Sequence, residues 1–537
     1  MSDIIKKAMS RRDFLRSAAV AGAAAAGAGV MGNLPGMKPR AVFAQDVNWT
    51  HEADVVVIGS GTGQAAALRA ATNGLKTIVL EKAATGGGTT GISGGGIWVP
   101  NNARMAEVGI PDSREQALEY LSHATFGQST PELMEAYVDN VNGMVEFLTS
   151  QGIAWDFRQM FNDYYPEFPG GVPEGRGLDP VSTIEGARGG GALVRMLQQA
   201  CEAAGVEFMF STPAQRLILN ADGSVAGVQA DNAGTPINVK ANRGVVMATG
   251  GFDHNADMVT HYLRGPVYYP SAVTGNTGDG HLMGMAIGAN LRNMNESWGW
   301  PVMHDDATNF SSFALAPEIG KPGTIIVNKR GERFMNEAGA YDPTTRTFYT
   351  YENGTHTYAN IPATLIVDSD FVAHYTLGWQ PITEASTYLY KADTLDGIAE
   401  HFGIDPVGLA AAIEAFNANA AQGIDPDFHR GESAFDQLTG GDRQRTDVPH
   451  PNLKPVDVAP FYAIQMWPGA LGTNGGLQIN GKSQVLNVWG EVIPGLYAIG
   501  NASGSPMGAG YPGGGATVGT GMTFGMIAAD DMTNNRS

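Results

Sequence analysis

Between positions 508 and 519 the chain reads Gly508-Ala-Gly-Tyr-Pro-Gly-Gly-Gly515-Ala-Thr-Val-Gly519, a lone phenol among glycines. Glycine permits positive φ and close backbone approach, so peptide N–H groups here can face a ligand beside the Tyr511 hydroxyl. A phenol O–H and a peptide N–H aimed together are suited to gripping a carbonyl oxygen. Near the N-terminus, Gly59-Ser-Gly61-Thr-Gly63-Gln64 is followed by Glu81, 22 residues after Gly59. In such a turn the first glycine makes the bend and the second lets backbone approach a pyrophosphate. The helix that follows presents its N-terminus to the phosphate charge. Glu81, at the end of the next strand, can accept hydrogen bonds from ribose hydroxyls. Gln64 stands where the plain fingerprint has its third glycine, so the match is incomplete.

The residues that follow favour FAD over NAD. Glu81-Lys82-Ala-Ala-Thr-Gly86-Gly-Gly88-Thr89-Thr90-Gly-Ile-Ser93-Gly94-Gly95-Gly96 is a long glycine and hydroxyl segment. It can run along a pyrophosphate, a ribityl chain and a flavin ring. Ala248-Thr-Gly250-Gly251, Asp279 at a helix start, Gly500-Asn501, and Thr517-Val518 in the terminal glycine segment complete the expected cofactor contacts.

These groups need elements to carry them. Residues 54–58 form an apolar run that reads as a buried parallel strand, 64–73 as the helix after it and 77–81 as the next strand. Helices are expected at 114–124, 131–150 and 190–204, the last leading to a strand at 207–210. Residues 223–230 and 243–251 read as paired strands and then a strand ending in a glycine turn, with a helix at 281–288. After Gly475, strands at 485–488 and 496–499 lead into the glycine loop and a last helix near 523–532. From Pro301 to about Ala470 aromatic residues, prolines and irregular segments increase. The expected class is α/β: a discontinuous Rossmann-like FAD-binding domain of glutathione-reductase type, residues 45–300 and 471–537, with an inserted α+β catalytic domain over 301–470.

Residues 1–44 are set apart from the fold. Ser10-Arg11-Arg12-Asp13-Phe14-Leu15, an alanine-rich apolar run over 18–32, and Val42-Phe43-Ala44 before Gln45 have the layout of a twin-arginine export signal. That predicts passage of a folded, cofactor-loaded protein through the twin-arginine translocation machinery into the periplasm. The whole chain of 537 residues has a net charge of −20, and without this leader, which holds seven basic and two acidic residues, the net charge is −25. Such a surface disfavours nucleic acid and anionic membranes. Cys201 is the only cysteine, which excludes an intrachain disulfide and a Cys-x-x-Cys-His haem site. A packing role in an alanine-rich helix is expected for it.

Several internal segments carry a family resemblance. Ser93-Gly-Gly-Gly-Ile-Trp98-Val-Pro100, Phe161-Asn-Asp-Tyr164-Tyr165-Pro166, Gly331-Glu-Arg-Phe-Met-Asn336-Glu337-Ala-Gly-Ala-Tyr341-Asp342 and Phe428-His-Arg-Gly431 are four of them. With the Tyr511 loop, they make the chain resemble the 3-ketosteroid Δ1-dehydrogenases, relatives of the fumarate-reductase-type flavoproteins, from Asp54 to Met532. The resemblance implies that Tyr341 removes the C2 proton of a 3-ketosteroid and that Tyr164 hydrogen-bonds to this base. It implies that Tyr511 and the Gly515 N–H bind the C3 carbonyl oxygen while flavin N5 accepts the C1 hydride. A free phenol titrates near pH 10, so Tyr341 as base needs its phenolate favoured, with Tyr164 the expected donor. Tyr165 could exchange roles with Tyr164. Phe161, Trp298 and Trp300 suit either a sterol-sized pocket or the core. Gly513 and Gly514 are either turn residues or a loosening of the carbonyl loop.

The export signal sets the chain apart from an activity often found in the cytoplasm. A quinone or a periplasmic redox carrier is therefore the expected electron acceptor, since soluble NAD is out of reach. Rival readings remain open. A fumarate or enoate reductase would want cations around a dicarboxylate, yet 501–523 contains no Arg, Lys or His. A Δ4-(5α)-ketosteroid dehydrogenase is nearer in substrate, but the 511–519 pattern argues for Δ1. A flavin- or sterol-binding carrier predicts no turnover at all.

Overall fold

The computed structural model describes residues 42–158 and 163–534. The twin-arginine motif, the apolar run and Phe161 lie outside the described residues. In chain order the elements that matter are β1 His51–Ile58, α1 Gly63–Thr72, β2 Thr77–Leu80, α2 Gly88–Ile92, α3 Gly189–Ala203, β3 Glu207–Met209, β4 Val225–Asn232 and β5 Thr235–Met247. They continue with α4 Asp279–Met285, β6 Ser297–Asp305, β7 Thr324–Val327, α5 Tyr341–Arg346, β8 Ala363–Val367, β9 Phe461–Thr473, β10 Val492–Ala498 and α6 Ala516–Asn534.

Val55, Val56 and Val57 offer no polar side chain to either face, and all three are fully buried in β1. A strand covered on both sides suits a parallel sheet. β3, β2, β1 and β5 accordingly lie side by side in parallel, and Val245, Val246 and Met247 of β5 pair onward with Leu496, Tyr497 and Ala498 of β10. The first half of β5 turns away to pair antiparallel with β4. Sequence reading starts this strand at 243; the chain instead runs one long strand from Thr235, with a register shift against β1 between Ala241 and Gly244.

The terminal helix also differs from expectation, since α6 starts at Ala516 rather than near 523. Its glycines are poor helix formers, but tertiary packing demands them. A Cβ on Gly521 would meet the Thr62 side chain at 2.6 Å, and one on Gly525 would meet Ala66 at 3.2 Å. α6 thus lies against α1, and its N-terminus follows Gly515 directly. Cys201 joins the same layer, its thiol donating to the Gln64 carbonyl at 3.3 Å from the buried face of α3. Burial pushes that thiol up to about 12.

The second sheet is wholly antiparallel. Phe310–Phe313, β6, β9, β8 and β7 follow one another, and Tyr390–Ala392 also pairs with β9. All its strands lie between Ser297 and Thr473. One face carries Ile325, Val327 and Ile366 against Ile398, Leu409 and Ile413 from the helices Leu395–Phe402 and Pro406–Ala420. The described residues form one compact unit.

Candidate active site

A cavity of about 1110 Å³ opens beyond the C-terminal ends of β1, β2, β5 and β10. It is larger than a pocket for one drug-sized ligand, about 300–1,000 Å³, which suits a dinucleotide and a substrate together. At its floor Gly59 has φ of 103°, and a Cβ there would lie 2.3 Å from the Ala248 carbonyl oxygen, so only glycine fits. Gly61 brings bare backbone to the first turn of α1, whose N–H groups lack intrahelical acceptors. Glu81 stands at the rim of this turn. Its carboxylate accepts the Ser60 N–H at 3.0 Å, the Ser60 hydroxyl at 2.6 Å and the Ala83 N–H at 2.8 Å. A carboxylate has about four acceptor sites, so it retains room for a ribose hydroxyl. The Thr249 hydroxyl is buried on the cavity wall without a partner. A bare glycine cradle, a helix N-terminus, a spare carboxylate lone pair and an orphaned hydroxyl fit FAD.

Of the residues singled out as cofactor contacts, Gly59, Gly61, Glu81, Lys82, Gly88, Thr89, Thr90, Ser93, Gly94, Gly95, Ala248, Gly250, Asp279, Gly500, Asn501, Thr517 and Val518 all line this cavity. Gly63 does not. It faces inward, where a Cβ would meet Val57 and Ala248 side chains at 2.9 Å, so it serves the packing of α1 on the sheet. Lys82 and Asp279 pair with each other at 2.7 Å.

At the other end of the cavity the three tyrosines converge. Tyr341 and Tyr164 have ring centroids 5.1 Å apart, Tyr164 and Tyr511 stack at 5.3 Å, and Tyr341 lies 5.4 Å from Tyr511. Trp298 meets Tyr511 edge-on at 4.7 Å. All four line the cavity, with Gly515. The neighbour Tyr165 does not: it stacks on Phe168 at 5.0 Å, which assigns the cavity position to Tyr164.

The Tyr164 hydroxyl is buried beside the Tyr341 phenol, close enough for the two to interact through a hydrogen bond. Burial raises both phenols well above their ordinary range; Tyr341 is raised further by Tyr164 and Tyr511, whereas Tyr164 is raised further by Tyr511 and lowered by its interaction with Tyr341. In this state Tyr341 is a neutral phenol.

The Tyr511 loop is also not loose at its double glycine. The Pro512 carbonyl accepts the Tyr164 N–H at 3.0 Å and the Tyr120 hydroxyl at 2.6 Å. A Cβ on Gly513 would meet the Trp98 ring at 2.4 Å. The glycines let the loop lie flat on an indole. Gly515, with φ of 96°, is pressed against Gly96, whose carbonyl oxygen a Cβ would meet at 2.4 Å.

Behind the tyrosines lies an ionic cluster, of which Asp342 alone falls in a segment singled out in the sequence. Asp342, next to Tyr341, accepts the Gly299 N–H at 3.0 Å and pairs with Arg346 at 3.2 Å. Arg346 also pairs with Glu296 at 2.9 Å and donates to the Ala509 carbonyl. Burial raises Asp342, and Arg346 opposes that shift. Arg158, Phe313 and Trp379 are cavity residues without a sequence signal, whereas Ser60 and Thr249 lie inside the two glycine turns read from the sequence.

The FAD binding domain family model matches residues 54–518. The chain is 35% identical to 3-oxosteroid 1-dehydrogenase of Mycolicibacterium smegmatis, covering 90% of this chain and 97% of that one. It is 34% identical to 4-oxocyclohexanecarboxylate 2-dehydrogenase of Sinomonas cyclohexanicum, over 88% and 92%. The crystal structure of 3-ketosteroid delta1-dehydrogenase from Sterolibacterium denitrificans in complex with 1,4-androstadiene-3,17-dione superposes with a TM-score of 0.84 at 32% identity, over 91% of this chain and 100% of that one.

Proposed function

From the premise that the chain belongs to the FAD-binding flavoprotein family, in its 3-oxosteroid 1-dehydrogenase branch, we propose that it introduces the 1,2 double bond into 3-ketosteroids. The observation that carries this reading is the convergence of Tyr341, Tyr511 and Gly515 in one cavity with the FAD cradle. A steroid is favoured over a single-ring keto acid by the walls beside Tyr341. There Trp300, Phe313, Leu315 and Leu471 pack together as an apolar cluster, while Arg158 is held by Asp179 at 2.9 Å.

The Tyr511 O–H and the Gly515 N–H donate to the C3 carbonyl oxygen. Gly515 immediately precedes α6, so the positive end of that helix faces the oxygen as it becomes negative. Tyr341 accepts the C2 proton at its hydroxyl oxygen. Holding an unperturbed phenol of pKa about 10 as phenolate at pH 7 costs about 4 kcal/mol, and burial of Tyr341 adds to that cost; two oxyanion donors at about 3 kcal/mol each on the enolate act against it. Tyr164, buried beside Tyr341, donates to its phenolate form and so favours the state of Tyr341 that can accept the C2 proton. FAD, when bound, supplies the two-electron acceptor for the C1 hydride.

The FAD-binding part is assigned to 45–300 and 471–537, with 301–470 as the inserted part capping the substrate. Export through the twin-arginine pathway, with a quinone or periplasmic redox carrier as acceptor, belongs to the same proposal and rests on residues 10–44. Replacing Arg11 and Arg12 by lysine tests it: the protein should then stay in the cytoplasm, and unchanged export would refute it. Anaerobic mixing of the holoenzyme with androst-4-ene-3,17-dione tests the activity. The oxidised-flavin band should bleach as androsta-1,4-diene-3,17-dione forms. No bleaching with any 3-ketosteroid, together with reoxidation of reduced enzyme by fumarate, would overturn the reading.

A further inference from the structure

Three ring contacts away from Tyr341, the cavity wall ends in a hairpin tip. Thr376–Leu377 and Gln380–Pro381 pair antiparallel across Gly378 and Trp379, whose φ values are 64° and 63°. This is the two-residue loop in which both positions take left-handed geometry, usually filled by Asn-Gly or Gly-Gly. Gly378 has a local reason to be glycine, since a Cβ there would meet the Phe310 ring at 2.6 Å. Trp379 has no local reason to be tryptophan. A bulky side chain in this region costs about 1–2 kcal/mol.

The strained turn is pinned from below. Glu318, only 2% exposed, accepts the Trp379 N–H at 2.9 Å and the Thr376 hydroxyl at 3.0 Å. Its other oxygen is buried without a partner, and burial raises its carboxyl above the usual range. A costly buried acid is thus devoted to fixing one surface turn. What the turn presents is an indole that is 51% exposed and lines the cavity.

That indole ends a row of rings. Trp379 lies 5.6 Å from Phe313, Phe313 stacks on Trp300 at 4.4 Å, and Trp300 lies 6.3 Å from Tyr341. A one- or two-ring ketone held at Tyr511 and Tyr341 would meet only the inner part of this row. A four-ring ketone is long enough to continue along it. Resting on the function proposed above, we propose that Trp379 is a specificity-determining residue whose indole face carries the end of a fused-ring ketone remote from its carbonyl, with Glu318 as the positioning residue that holds it there.

The test reads affinity rather than turnover, using cross-conjugated dienones that do not reduce the flavin. Dissociation constants of androsta-1,4-diene-3,17-dione and of a two-ring dienone reproducing rings A and B are measured from the shift of the oxidised-flavin band in the holoenzyme. Trp379→Ala should weaken the four-ring ligand at least tenfold and the two-ring ligand less than twofold. Trp379→Phe should recover most of the loss. Glu318→Leu should move only the four-ring ligand, in the same direction. Equal weakening of both ligands, or of neither, overturns the inference while leaving the proposed activity intact. A wild-type holoenzyme that neither binds nor dehydrogenates a 3-ketosteroid refutes the activity, and this inference with it.

Discussion

Replacing Tyr511 by phenylalanine separates the electrophile from the packing around it. The ring sits 5.3 Å from Tyr164, 5.4 Å from Tyr341 and 4.7 Å from Trp298, and phenylalanine preserves all three contacts. The hydroxyl has the Thr517 hydroxyl at a marginal 3.4 Å and the Tyr341 phenol beside it. Stability should therefore change by less than about 1 kcal/mol. Losing one oxyanion donor should cost about 3 kcal/mol in the transition state, or roughly 150-fold in the ratio of flavin-reduction rate to steroid dissociation constant. The neutral ketone loses an ordinary hydrogen bond of about 1 kcal/mol, so about fivefold falls on binding and about 30-fold on the rate of the bound complex. Anaerobic stopped-flow at the oxidised-flavin band resolves the two as concentration is varied. A bound-complex rate within threefold of wild type would refute the electrophile assignment. A loss wholly in the dissociation constant would show that Tyr511 binds ketone and enolate alike.

Tyr341→Phe should lower the flavin-reduction rate by at least about 10²-fold, the lower end for general-base catalysis, while leaving steroid binding within a few-fold by flavin perturbation. Because burial raises the Tyr341 phenol above 10, each unit of pH from 7 to 9 should yield about tenfold more phenolate; the reduction rate of wild type should climb accordingly, and the residual rate of Tyr341→Phe should not. Gly59→Ala places a Cβ 2.3 Å from the Ala248 carbonyl oxygen, so protein purified with this change should hold less than a tenth of the FAD of wild type by absorbance ratio. Arg346→Met leaves Asp342 and Glu296, both nearly fully buried, without their shared cation. Breaking a buried pair costs about 3–5 kcal/mol, and the partial exposure of Arg346 lowers the expectation to about 2–3 kcal/mol by denaturant unfolding.

The cofactor cradle is legible in the sequence because its devices are local. Gly59 makes its own turn, and Val55 to Val57 advertise burial on both faces. The helices expected at 114–124 and 131–150 form over those residues, and in the structure the Ser113 and Thr130 side chains cap their first turns. What local pattern hides is decided by partners far along the chain. Gly63 looks like a ligand-facing glycine but answers to Val57 and Ala248. Gly513 looks like slack but answers to Trp98, and the glycines of α6 look like loop but answer to α1. Trp379 sits in no motif, and its reason for being there, Glu318, is 61 residues away.

The pairing of Tyr341 with Asp342 explains how one short helix can serve both halves of the chemistry. Successive helical residues point in different directions, so Tyr341 faces the cavity while Asp342 enters the ionic cluster behind it. Through Arg346 that cluster reaches the Ala509 carbonyl, two residues before Tyr511. Tyr341 and Tyr511, the proposed base and carbonyl donor, 170 residues apart in sequence, are thereby fastened to one buried set of charges. Each ion there is costly to desolvate, and a hydrophobic substitute would often be as stable. The cluster's distinct contribution is geometric: hydrogen bonds and ion pairs fix direction where apolar packing tolerates sliding. Proton removal and carbonyl polarisation must act on adjacent atoms of one substrate, and a shift of about 1 Å can cost 10²-fold in rate. A variant that keeps the charges but shortens one arm, Asp342→Glu with Arg346→Lys, should therefore recover stability more fully than flavin-reduction rate. Recovery of both in equal measure would reduce the cluster to a structural ion pair.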